Sequence, residues 1–75
     1  MKAIWADDGS EFTADNYVDL VTLLREDCRT DYDNNFLYMK DFARRAVITE
    51  NLDIRFVNEE MFIKDVAECG LIVLI

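Results

Sequence analysis

The sequence predicts a small α+β domain, with three helices packed on one mixed sheet of about four or five short strands. Three observations predict it. Three stretches repeat apolar residues at helical spacing behind capping residues. Between and around them lie short apolar or β-branched runs of strand length. The 75 residues are 52% hydrophobic and 32% charged with no proline and two glycines, a composition that favours folding over disorder. A chain of this length supports one core, so residues 1–75 are read as a single domain.

The first strand is expected over Met1–Ala6, which includes Ile4 and Trp5, followed by the turn residues Asp7-Asp8-Gly9-Ser10. Glu11-Phe12-Thr13 can return as a second strand. Thr13 is placed as the N-cap of the first helix, with Phe12 and Tyr17 as its hydrophobic staple. The inward stripe of this helix is Tyr17, Leu20, Val21, Leu24 and Cys28. Arg29–Asn35 reads as a polar loop, and Asp33 or Asn34 as the cap of a second helix through about Arg45. Met39, Phe42, Ala43 and Ala46 face inward there, with Phe36 extending the stripe. Val47-Ile48-Thr49, the pause at Glu50-Asn51 and the alternation Leu52-Asp53-Ile54-Arg55-Phe56 read as a hairpin, although the helix can also run on to Ile48. Asn58 caps a third helix that turns Phe62, Val66 and Cys69 inward and ends at Gly70. The apolar run Leu71–Ile75 is expected to be a strand covered on both faces, parallel to its predecessor through a right-handed crossover.

Several chemistries are closed. There is no histidine, so most hydrolase triads and zinc sites cannot be assembled. Two glycines cannot furnish a phosphate-binding loop or a dinucleotide fingerprint. Cys28 and Cys69 stand alone in helical patterns and read as buried thiols rather than a disulfide. Asp31-Tyr32-Asp33-Asn34-Asn35 imitates the opening of a calcium loop, but Phe36 takes the place of the turn glycine and Phe42 that of the bidentate glutamate. An enzyme would need a carboxylate pair in a closed pocket, which a single shallow core can hardly provide. No metal, cofactor or catalytic residue is assigned. No apolar run is long enough to span a bilayer, and the N-terminus meets charge too soon for a secretory signal, so a cytoplasmic location is expected.

Charge is unevenly distributed. Sixteen Asp and Glu stand against eight Lys and Arg, a net of −8. Through Asp33 there are nine acids and three bases, a net of −6; the rest carries seven acids and five bases, a net of −2. Asp15, Asp19 and Glu26 fall on the expected solvent face of the first helix, and Asp7, Asp8, Glu11, Asp27, Asp31 and Asp33 flank it. Tyr32 lies beside them as the candidate aromatic anchor. These ten residues are the expected partner-binding surface, offering carboxylates to a protein with a basic, phosphate-binding surface. Acidic residues also keep a small domain soluble, but solubility does not explain why one half holds most of the excess. Lys40, Arg44, Arg45 and Arg55 are the only positive cluster and are too few for direct nucleic-acid binding.

The segments Trp5-Ala6-Asp7-Asp8-Gly9-Ser10-Glu11-Phe12, Tyr17-Val18-Asp19-Leu20-Val21, Ala43-Arg44-Arg45-Ala46 and Asp53-Ile54-Arg55 resemble those of small, uncharacterised bacterial or phage proteins. In size and acidity the chain is also similar to the anti-CRISPR type of inhibitor that mobile elements direct against nucleic-acid-binding defence proteins. That likeness is one of composition and assigns no residue. It implies a non-enzymatic inhibitor acting as a nucleic-acid mimic. The alternative is a small structural or regulatory subunit that homodimerises through a sheet edge, with Val47–Phe56 as the edge.

Overall fold

A computed structural model describes all 75 residues. The elements run β1 (Lys2–Trp5), β2 (Glu11–Thr13), α1 (Tyr17–Asp27), α2 (Asn35–Glu50), α3 (Glu59–Glu68) and β3 (Ile72–Leu74). The α+β class and the three helices are as expected; the sheet is smaller and differently paired. It has three strands in the order β2-β1-β3, all antiparallel, in place of four or five in a mixed sheet.

The register sorts the side chains between two faces. Ala3 lies opposite Phe12 on one side and Leu74 on the other, and Trp5 lies opposite Ile72. These five residues share the face that meets the helices. α1 packs on β2 and α3 on β3, the two helices touch each other, and α2 lies against both. The core between them holds Leu20, Val21, Leu24, Tyr38, Met39, Ala43, Phe62, Ile63 and Val66.

α1 begins later than expected. Thr13 is still paired with Lys2, and the Ala14 N–H donates to the Met1 carbonyl at 3.0 Å, so the strand claims the residues that were to cap the helix. Asn16 caps it instead, its Oδ1 accepting the Asp19 N–H at 2.8 Å. Asn34 and Asn58 cap α2 and α3 in the same way, at 2.9 Å from the N–H groups of Leu37 and Met61. All three helices therefore start on an asparagine.

The largest departure concerns Val47–Phe56. No hairpin forms, because α2 continues through Val47, Ile48 and Thr49 to Glu50. Helical Thr49 bonds its hydroxyl back to the Arg45 carbonyl at 2.7 Å, and none of these β-branched residues pairs with a strand of the sheet. Asn51 ends the helix at φ +55°, its N–H reaching the Val47 carbonyl at 3.1 Å. Leu52–Phe56 forms no regular element, yet its alternation is real: Ile54 is buried, with Leu52 and Phe56 packed on the core. What it lacks is a strand partner. The Arg55 N–H donates to the Asp65 carboxylate of α3 at 2.9 Å, so a side chain satisfies the backbone where a ladder was expected.

Without a strand before α3 there is no crossover unit, and β3 turns back to pair with β1. Gly70, at φ +80°, makes the turn. Its N–H donates to the Ala67 carbonyl and that of Leu71 to Val66, the paired bonds of a Schellman motif. β3 is thus an edge strand covered on one face. Ile72 is buried while Val73 is 51% exposed, which corrects the expectation of two-sided burial. Phe36, expected in the inward stripe of α2, is 49% exposed and leans on Phe56, with ring centroids 5.8 Å apart. Cys28 and Cys69 are free thiols, half-buried rather than buried.

Candidate acidic interface

Nine of the ten expected partner-binding residues are exposed, and the fold distributes them over four places. Asp7 and Asp8 sit in the β1–β2 turn. Asp8 accepts the Ser10 N–H at 2.9 Å, and this bond holds its carboxyl below the usual range and ionised. Glu11 lies on β2 and pairs with Lys2 at 3.3 Å. Asp15 precedes the Asn16 cap and so lies outside α1. It nevertheless meets Asp19 in a shallow hollow of about 390 Å³ that also includes Thr22 and Leu23. Glu26 is seven residues beyond Asp19 on the same helix face, roughly 10 Å along the axis. Asp27, Asp31 and Asp33 follow, at the end of α1 and in the loop leading to α2.

Tyr32 is the exception. Its hydroxyl donates to Asp41, and its ring packs edge-on against the buried Tyr38 with centroids 5.6 Å apart. The phenol pKa is raised by that carboxylate, while Asp41 is lowered by the Tyr32 hydroxyl and by Arg44. Tyr32 is a strut between the loop and α2, with only part of its surface open to a partner.

Arg25, the one base within α1, is turned away from the acidic face. Its Nε donates to Asn35 Oδ1 at 2.9 Å and its Nη1 to the Tyr32 carbonyl at 2.9 Å, so it buttresses the loop through neutral acceptors. Asn35 also bonds Thr22 and Glu59, at 3.1 and 3.2 Å. With Asn34 capping α2, the calcium-like run ends in two side chains committed to structure.

The ion pairs complete the charge map. Five are present: Lys2 to Glu11, Arg44 and Arg45 to Asp41, Arg55 to Asp65, and Lys64 to Glu60. Four of them neutralise acids beyond Asp33. Of the nine acids up to Asp33 only Glu11 has a cation partner, which leaves eight exposed carboxylates without counter-charge.

Two features escaped sequence reasoning because their parts lie far apart in the chain. One is the ion pair Arg55–Asp65. The other is a cleft where the β1–β2 turn meets the end of α2, lined in common by Asp7, Asp8, Glu50, Trp5 and Phe42. No helix is long and apolar enough to cross a membrane. Comparison with protein-family models, with curated proteins and with solved structures gives no match, so the geometry alone carries the functional argument.

Proposed function

We propose that the chain is a non-enzymatic protein-binding module, most concretely a phage-type inhibitor of the anti-CRISPR kind. Its acidic surface takes the place of nucleic acid in the basic groove of a cytoplasmic nucleic-acid-binding protein. The observation that carries this reading is the set of eight exposed, unpaired carboxylates in the first half, beside a second half whose acids hold four of the five paired cations. Like charges left facing solvent cost stability through mutual repulsion. A partner with a cationic surface recovers that cost and is drawn in at long range. Such a partner already presents Lys and Arg at the spacing of phosphates.

Replacing Asp15, Asp19 and Glu26 together by lysine is expected to weaken partner binding by at least about 100-fold, since charge reversal converts attraction into repulsion at each site. The wild-type affinity falls steeply with salt and that of the variant does not. Unchanged affinity and salt dependence in a variant with the wild-type circular dichroism spectrum contradicts the reading.

A second reading is favoured by β3. Its outer edge is unpaired, and Val73 and Ile75 are exposed beside it, the kind of edge on which two copies can pair. This edge replaces Val47–Phe56 as the site of a homodimer. A sedimenting monomer at all accessible concentrations disposes of it.

A further inference from the structure

The cleft at the Trp5 end of the sheet has a volume of about 710 Å³. Its floor is aromatic. The Trp5 indole stacks on the Phe42 ring with centroids 6.1 Å apart and planes 25° from parallel. Its rim is acidic, with Asp7 and Asp8 contributed by the β1–β2 turn and Glu50 by the last residue of α2. The one cation in its lining, Arg45, lies 3.3 Å from Asp41 and is already engaged. None of the three rim carboxylates has a cation partner.

Glu50 is unfavourably placed for the isolated fold. It stands at the negative end of the α2 dipole, in a last turn that holds no base, and it lines the same cleft as the two turn acids. A cation seated between them reverses each of these penalties. The floor narrows the choice of cation. A guanidinium is planar, stacks on aromatic faces and directs its N–H groups sideways in a fork that matches carboxylates; an ammonium group matches the charge alone. The aliphatic stem of such a side chain also covers apolar floor.

We infer that this cleft is the seat of an arginine side chain presented by the partner protein, with the Trp5–Phe42 stack beneath the guanidinium and Asp7, Asp8 and Glu50 around it. The inference rests on the reading of the chain as a binder of a basic surface and adds to that reading an anchor separate from α1.

Trp5 is the only tryptophan, so its indole N–H resonance reports the cleft alone. Titration with N-acetyl-arginine amide is expected to move that resonance saturably, half-saturating on the order of 1–10 mM as so small a ligand allows. N-acetyl-citrulline amide, of nearly the same shape without the charge, gives no saturation, and N-acetyl-lysine amide binds at least about threefold more weakly than arginine. Combined Asp7→Asn, Asp8→Asn and Glu50→Gln substitution weakens the arginine titration about tenfold, whereas Asp15→Asn with Asp19→Asn leaves it unchanged. The seat is overturned if arginine produces no saturable shift, if citrulline matches it, or if the α1 substitutions weaken it as much as those in the cleft. Any of these results leaves the α1 reading standing, because that reading is tested on a partner protein and not on arginine.

Discussion

Phe62→Ala is expected to remove about 3–5 kcal/mol of stability, the range for deleting a buried aromatic ring and leaving its cavity. At 0.05–0.15 kcal/mol per residue a chain of this size has only roughly 4–11 kcal/mol in total. The substitution therefore takes about a quarter or more of it, and in the lower part of the range unfolds the protein. Phe62 is 1% exposed and is the hub of an aromatic chain. It meets Phe42 edge-on at 5.3 Å and Tyr38 at 6.1 Å, and these in turn reach Trp5 and Tyr32. Its loss separates α3 from α2 and α2 from the sheet. Urea unfolding followed by Trp5 fluorescence measures the change as a fall in midpoint. A loss below about 1 kcal/mol contradicts the packing described for this core.

Removing the Asp65 carboxylate is expected to cost about 2–3 kcal/mol. Asp65 is 8% exposed and accepts three bonds from Arg55, from the backbone N–H at 2.9 Å and from Nε and Nη2 at 2.8 Å each. Breaking a fully buried pair costs more, but the Arg55 side chain is 56% exposed and water takes up part of its loss. The backbone N–H is the less replaceable donor, because Leu52–Phe56 has no neighbouring strand to receive it.

The same pair sets an acid limit on the fold. The Arg55 side chain and backbone N–H lower the Asp65 pKa from 3.8 to about 2, against the opposing effect of burial. The unfolded chain takes up this proton near the ordinary value and the folded chain only near 2. The contribution is therefore complete above about pH 4, declines between pH 4 and pH 2, and is absent below. Asp65→Asn is expected to flatten that part of the stability-versus-pH curve as well as to lower it at neutral pH. A variant curve parallel to the wild type from pH 5 to pH 2 contradicts the assignment.

What was legible in the sequence is what local chemistry decides. Asn34, Asn58 and Gly70 mark helix ends through bonds made within a turn of themselves, and each stands where its residue type placed it. The stripe Leu20, Val21 and Leu24 likewise faces the core as its spacing requires. Errors arise where a distant partner decides. Thr13 is drawn into the sheet by Lys2, so the cap passes to Asn16. Val47, Ile48 and Thr49 have strand propensity and no strand to pair with, so they remain helical. Leu71–Ile75 is apolar throughout, yet Val73 and Ile75 face solvent. Periodicity cannot separate a strand covered on both faces from an edge strand bearing exposed apolar residues.

The candidate surface divides in the same way. The excess of acid could be counted residue by residue, whereas its lack of counter-charge depended on where Lys2, Arg25, Arg45 and Arg55 point. Arg25 would have offset the α1 face had it not been turned toward Tyr32 and Asn35. Tyr32 stands between Asp31 and Asp33 in the chain, but its hydroxyl is taken by Asp41. Trp5, which lines one cleft with Asp7 and Asp8, reads in the sequence only as part of a strand.

The most direct measurement of the proposed nucleic-acid mimicry is displacement. The immobilised protein, exposed to nuclease-treated cell lysate, is expected to retain a basic protein at low salt and to release it at about 0.5 M salt, where screening shortens the range of charge interactions to a few ångströms. Added nucleic acid is expected to displace the same protein at low salt, because both ligands claim one groove. A retained protein that neither salt nor nucleic acid releases, or that the Asp15→Lys, Asp19→Lys, Glu26→Lys chain retains equally well, contradicts the account.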